Sequence, residues 1–415
     1  MKRILILGSL EEFIELVKMA KQRGHYVLVC DKNENGPAKE WADKSYHIDV
    51  REIEKIASLC KEEKIDTILT AFSDLLLECM VKIADRAGIK TYLTPGQLSW
   101  YRDKREMKKM FSKLGISSPK SVVLESDFIE ESLKNLQFPI VIKPVDMYGS
   151  RGIFVLDEPG QVREVFEEAC KSSGIKSVLA EEYHDGYEFN VTAWVMSGEL
   201  YILSIADREK TQVVRGQIPI NSRNVYPSCF TRQVYEETKE ILSKVLSFTG
   251  QKEGELSMQF FWKPGEKIKV CEVAARFLGY EHELISYCSD LSLEEILLDY
   301  AEDNPNLEEK IKKHSPFFKK HGAVLYFQGQ EDVIMDMTGL KSAFLQDFVK
   351  ESWSFYKEGE KIETFTRPYL ARCYVLADSR ESLDEKTDNI FSKVSVKGKD
   401  NQELAYKNQR TKYDL

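Results

Sequence analysis

In IVIKPVDMYGSRGIFVL, Ile140 to Leu156, a lysine sits inside an apolar run and a loop of small residues with an arginine follows it. A strand lysine ordinarily snorkels its ammonium to the sheet edge. Here the next turn offers a second use. Gly149, Ser150 and Gly152 let consecutive backbone N–H groups converge on an anion, Arg151 adds a cation, and Lys143 would complete a phosphate cradle. The pattern is not GxxxxGK[ST], because the lysine precedes the loop. Two further clusters lie downstream. EEYHDGYEF (Glu181 to Phe189) ends a strand in paired acids and adds Glu188 after a short turn; alone it reads as an exposed acidic hairpin. CEVAARFLGYEHE (Cys271 to Glu283) sets Glu272 and Arg276 four apart at the end of an apolar strand, which alone is a surface ion pair worth little. Three phosphate-friendly or metal-friendly spots in one chain carry more weight together than any one of them.

The elements that must position these groups are legible in the periodicity. RILILG, YVLVCD and IDTILT are apolar runs, and EEFIELVKMAKQ and LLLECMVKIADRAG carry helical spacing between and after them. Strand, helix and strand in repetition predict a parallel sheet covered on both faces. Gly8 lacks the other glycines of GxGxxG and is followed by Glu11 and Glu12, so a structural role is preferred over a dinucleotide turn. From Thr94 the texture changes to an α+β module. Helices are expected at Asp103 to Gly115, around Phe128 to Leu136 and at Thr231 to Thr249, with strands at SVVL, SVLAEEY, EFNVTAWVM, ELYILSIA, LSMQFFW and IKVCEVA. Asp207 to Ser228 reads as a long polar irregular segment, in which Lys210, Arg215 or Arg223 could reach an acidic substrate. The last residues read as polar and frayed.

Composition bounds the rest. The 415 residues are 42% hydrophobic and 31% charged, and the net charge of -9 repels phosphate backbones and acidic membrane surfaces. Nucleic acid and membranes are therefore not expected partners, and no run is long enough for a membrane helix. The eight cysteines show no CxxC pair, as expected of reduced thiols in a cytoplasm. Zinc spacing among the six histidines and a GxSxG elbow are both absent.

In their order along the chain, these segments resemble the ATP-grasp superfamily, carboxylate-amine and amino-acid ligases among its members. The resemblance implies an α/β and α+β chain: a parallel N-terminal domain at 1–95, an ATP-grasp domain at 96–310 with a lid at about 118–185, and a small β-rich C-terminal domain at 311–415. It also implies ATP and Mg2+. Lys104 of DKREMKK and Lys143 would reach the phosphates, with Gly149, Ser150 and Gly152 around them. Glu181 would take the adenine amino group, Glu182 and His184 would supply main-chain contacts, and Glu188 would accept the ribose hydroxyls. Where relatives place two acids and an asparagine on the metal, this chain has Gln259, Glu272 and Ala274; Gln259 and Glu272 are the implied metal ligands. Lys143 and Arg276 would carry the chemistry. The implied reaction joins a small-molecule carboxylate to an amine through an acylphosphate, in a chain that could form a homodimer. A purine-biosynthetic or carboxylating enzyme and a nucleotide sensor without turnover are the alternatives.

Overall fold

The computed structural model describes residues 1–145, 153–170, 176–210, 220–277, 279, 281–364 and 369–413. The N-terminal layer is a parallel sheet of β1 (Arg3–Leu7), β2 (Tyr26–Cys30), β3 (Lys44–Tyr46) and β4 (Thr67–Leu69) in the order β3-β2-β1-β4. Ile4 to Leu7 are fully buried because helices α1 (Ile14–Gln22), α2 (Ile53–Glu62) and α3 (Asp74–Ala87) cover the sheet. Gly8, at φ +109°, ends β1 where a side chain cannot fit: a Cβ would stand 2.6 Å from the Phe13 ring. Its role is structural, as the absent glycine pattern predicts.

Helices α4 (Pro95–Arg102) and α5 (Lys104–Leu114) lead out of this layer. Asp103 caps α5 by accepting from the Arg105 N–H at 2.8 Å, and Gly115, at φ +63°, stops it. Between those signals Met107, Met110 and Phe111 are buried. Lys104 and Lys108 are left one turn apart on one face.

A separate antiparallel sheet follows, built from β5 (Ser121–Glu125), β6 (Ile140–Pro144), β7 (Phe154–Leu156) and β8 (Ser177–Glu182) in the order β5-β8-β6-β7, with α6 (Gln161–Cys170) packed on it. The helix expected around Phe128 to Leu136 is only a short 3-10 turn, Glu130–Leu133. Between 128 and 133 only Phe128 and Leu133 are buried, too little apolar surface to hold a helical face.

The largest sheet has eight strands. Its members are β9 (Tyr187–Met196), β10 (Glu199–Lys210), β11 (Asn221–Tyr226), β12 (Gly254–Trp262), β13 (Lys269–Ala274), β14 (His321–Gln328), β15 (Val349–Ser354) and β16 (Tyr369–Ala377), in the order β13-β12-β9-β10-β11-β14-β16-β15. Helices α7 (Thr231–Thr249), α8 (His282–Cys288), α9 (Leu293–Ala301), α10 (Leu307–Lys313), α11 (Thr338–Phe344) and α12 (Arg380–Lys393) cover it. β11 pairs with β14, so the sheet continues unbroken from the central region into the residues beyond 311.

Two expectations from the sequence are overturned here. The described ends of the segment Asp207 to Ser228 are strands: β10 runs through Lys210, and β11 occupies Asn221–Tyr226. Charged side chains hid these strands because they are buried against opposite charges instead of facing water. The tail is not frayed either. Asn408 Nδ2 donates to the Tyr326 carbonyl at 2.7 Å, and the Thr411 N–H donates to Glu209 Oε2 at 2.9 Å. Among the described residues no helix is long and apolar enough to cross a membrane.

Candidate active site

The lysine that opens the sequence argument lies between two sheets. Lys143 on β6 faces Leu179 on β8, which makes Glu181 its diagonal neighbour on the same face. Its ammonium donates to Glu181 Oε1 at 2.7 Å, and Lys108 Nζ lies 2.6 Å from Oε2. Burial alone would lower the Lys143 pKa, but the Glu181 carboxylate beside it outweighs burial and raises it. The acid shows the converse: burial would raise Glu181, and the Lys143 and Lys108 ammonium groups hold it low. Glu181 therefore meets a lysine at each oxygen, and a carboxylate with about four lone-pair sites can still accept a further donor such as the adenine amino group implied for it. Sequence reasoning missed Lys108, although its spacing of four from Lys104 was a usable signal.

Lys104 is lowered by burial, offset in part by the Glu272 carboxylate and reinforced by the neighbouring Lys143 ammonium. Lys104, Lys143 and Glu272 thus share one field. Glu272, on β13, has no hydrogen bond or ion pair among the described residues. Arg276 donates from Nη2 to Asp74 Oδ2 at 2.8 Å, and that pairing outweighs burial to raise its pKa. Asp74 opens α3 in the N-terminal layer, at the C-terminal edge of the parallel sheet where ligands of such sheets collect. Tyr92 and Glu255 brace the same turn: Tyr92 donates to Glu255 Oε1 and to the Ala275 carbonyl, and the Phe277 N–H donates to Glu255 Oε2.

The remaining expected groups lie on the large sheet and its entry. Glu188 is buried, and its carboxylate meets Arg208, Lys210 and the Gln259 amide nitrogen. Burial would raise Glu188, but Arg208 and Lys210 lower it. Gln259 is register-paired with Glu272 across β12 and β13. Its amide nitrogen faces Glu188, leaving the oxygen as its only metal-ligating atom. The Glu182 side chain is turned to the Gln137 N–H at 2.9 Å, and the Glu182 N–H is spent on the Lys120 carbonyl. His184 accepts from the Gly186 N–H at 3.0 Å and stacks on Phe261, with its pKa lowered by burial. Gly149, Ser150, Arg151, Gly152 and Arg215 lie outside the described residues. Arg223 is excluded from any substrate: it is fully buried on the opposite face, bonded to Glu209 and Asp384.

Register pairs extend the polar row across the sheet. Glu272 faces Gln259, Gln259 faces Asn190, Glu188 faces Arg208, Arg208 faces Asn224, Tyr326 faces Arg372, and Arg372 faces Trp353. Above the middle of the row sits Glu281, which the sequence did not single out. Its oxygens accept from Asn190, Asn224, Tyr226 and Tyr326. At the far end Phe72, at φ +64°, stacks on His282 at 4.2 Å. His282 is raised to about 9, because Glu283 and Glu294 outweigh burial. Glu12 is raised by burial, opposed by His282 and Arg372.

Comparison with known proteins decides the family. Residues 4–91 match the family described as PylC-like, N-terminal domain, and residues 136–282 match the ATP-grasp domain. The family shown is that of the ATP-grasp domain, over residues 136–282. A formate-dependent phosphoribosylglycinamide formyltransferase of Prochlorococcus marinus subsp. pastoris is 32% identical over 205 residues, 48% of this chain and 52% of that relative. One of the same description from Bacteroides fragilis is 24% identical over 187 residues, covering 44% and 48%. The chain spans about half the length of the curated relatives it matches. The L-amino acid ligase from Bacillus licheniformis superposes with a TM-score of 0.80 at 16% identity, covering 96% of this chain and 99% of that one. Phosphoribosylglycinamide synthetase from Anaerococcus prevotii superposes with a TM-score of 0.72 at 19% identity, covering 96% and 100%. At those identities the likeness shows the ATP-grasp fold.

Proposed function

We propose that this ATP-grasp chain is a ligase that uses ATP and Mg2+ to join a small-molecule carboxylate to an amine, releasing ADP and phosphate. The observation that carries the proposal is the shared field of Lys104, Lys143, Glu272 and Arg276, contributed by α5, β6, β13 and the turn after β13. Glu181 neutralises Lys143 in the fold, and when Lys143 turns from it the ammonium groups of Lys104 and Lys143 would together suit the charge of a triphosphate.

The residues present fit a magnesium ion that keeps most of its ligands from water and phosphate oxygens. Glu272 supplies one carboxylate and Gln259 one amide oxygen on the same face, and no group of three or more His, Cys, Asp or Glu is placed to hold a metal among the described residues. When bound, magnesium supplies positive charge across the terminal phosphates. Lys143 and Lys104 stabilise the phosphoryl oxygens as the substrate carboxylate attacks and the bond to ADP breaks. Lys108 holds Glu181 when Lys143 turns to phosphate. Arg276 faces the oxyanion that forms when the amine attacks the acyl carbon and phosphate departs.

An amino acid suits the far end of the polar row. Arg372 offers a cation for a carboxylate, Glu12 and Glu283 offer anions for an ammonium, and Phe72, Trp353 and Tyr374 supply aromatic wall. A purine-biosynthetic or carboxylating reaction is the second reading, favoured by the curated relatives. The test is incubation with ATP, Mg2+, hydroxylamine and pooled amino acids. Hydroxamate that depends on an amino acid supports the ligase; phosphate release only with formate or a phosphorylated ribosylamine supports the second reading. Nucleotide binding without phosphate release under any condition defeats both and leaves a sensor.

A further inference from the structure

We infer that the segment Asn408 to Tyr413, folded back onto β10, positions the nucleotide-binding groups, with Tyr413 as the principal positioning residue. The inference rests on the proposed nucleotide role of Glu188 and its partners.

Strand alternation gives β10 two chemically distinct faces. Arg208 and Lys210 point to Glu188, whereas Asp207 and Glu209 point to the rear. The backbone ladder does not by itself fix the end of this strand, because the β10–β11 register shifts between Glu209 and Lys210. What sits behind that bulge therefore decides how the front cations are aimed.

The tail sits there. Tyr413 donates its hydroxyl to Glu209 Oε1 at 3.1 Å, and the Thr411 N–H donates to Oε2 at 2.9 Å. The Tyr413 ring meets Tyr187 edge-on at 4.9 Å and 76°, and Phe230 at 5.4 Å and 82°. Tyr187 immediately precedes Glu188, and Glu209 lies between Arg208 and Lys210. One side chain thus touches the neighbours of both partners in the Glu188 cluster, on two adjacent strands. Arg410 anchors the tail from outside through a two-point bond to Asp388, both contacts 2.7 Å. The bulk of the rear network, Arg223 and Arg380 with Asp207, Glu209 and Asp384, stays in place without Tyr413. Tyr413 can therefore tune aim more than it contributes to folding.

The test measures Mg-ADP and Mg-2′-deoxy-ADP dissociation constants and thermal midpoints of the full chain and of Tyr413→Ala and Tyr413→Phe. The expected result is weakening of ADP by about tenfold in Tyr413→Ala and about twofold in Tyr413→Phe. With 2′-deoxy-ADP the difference from the unmodified chain shrinks, because the misaimed carboxylate serves the ribose hydroxyls. Unchanged ADP affinity in Tyr413→Ala, or equal losses for both nucleotides, overturns the inference while leaving the nucleotide site standing. If Tyr413→Ala does not fold, Tyr413→Phe decides by the same ribose comparison. Absence of ADP binding by the unmodified chain overturns the inference and the nucleotide reading together, so the two failures are distinguishable.

Discussion

Behind β10, Arg223, Arg380 and Arg410 meet Asp207, Glu209, Asp384 and Asp388, and the bonds close on one another: Glu209 alone accepts from Arg223, Arg380, Thr411 and Tyr413. In front, between α5, β6 and β13, the same residue types are arranged differently. Lys104 and Lys143 lie in one another's field, and Glu272 has no hydrogen bond or ion pair among the described residues. Both regions are rich in buried charge, so neither burial nor charge density tells them apart. Satisfaction does. The rear network closes every charge on an opposite one, whereas in front Lys143 is paired to Glu181 and the Glu272 carboxylate keeps no hydrogen bond or ion pair of its own among the described residues.

The contrast can be broken at either end. The largest effect is expected behind β10: Arg223→Ala leaves Glu209 and Asp384 short of a buried partner and should destabilise the fold by about 3–5 kcal/mol in chemical denaturation. A loss within the range of a surface substitution would mean that the rear network is not a folding element. In front, Lys143→Ala should cost about 3 kcal/mol of barrier, on the order of a hundredfold in ATP-dependent phosphate release, with a smaller loss of stability than Arg223→Ala because Glu181 keeps Lys108 as partner. Unchanged turnover would remove Lys143 from the chemistry. Lys108→Ala should have a smaller effect, about tenfold in the same assay, because Glu181 keeps Lys143 as partner.

The smallest expected effect separates both regions from a third kind of buried acid. Among the described residues Glu255 has no hydrogen-bonded cation, and burial pushes its pKa from 4.5 up to about 8. The folded state holds the extra proton across that interval, so the stability it confers is fully present below about pH 4.5 and is lost as pH rises through about 8. His282, raised from 6.5 to about 9, acts in the same direction over its own interval. Glu255→Gln keeps the hydrogen-bonding shape and should flatten the fall in stability between about pH 5 and 8, read as denaturation midpoints across that range. A slope identical to that of the unmodified chain would mean that Glu255 is ionised in the fold.

Much of the architecture was legible because one physical pattern dominated each segment. Apolar runs such as RILIL could only be buried strands, and the capped stretch from Asp103 to Gly115 could only be a helix. Legibility failed where burial was achieved by pairing charge with charge. Asp207 to Lys210 and Asn221 to Tyr226 look polar because each buried charge has its complement elsewhere in the chain, and the frayed-looking tail is held by the same network. The site divides in the same way. Lys143, Glu272 and Arg276 stood out by residue type and position, Lys104 came only from the family resemblance, and the four share one field in the fold.

By itself the amino-acid sequence determined which segments become strands and helices and which side chains carry charge near their ends, because periodicity and capping are local properties. Which charge meets which was left to the tertiary structure. Arg223 and Arg208 look equivalent in sequence, yet one closes a buried network and the other faces Glu188, because alternate residues of paired strands point to opposite faces and only the sheet order decides what lies on each.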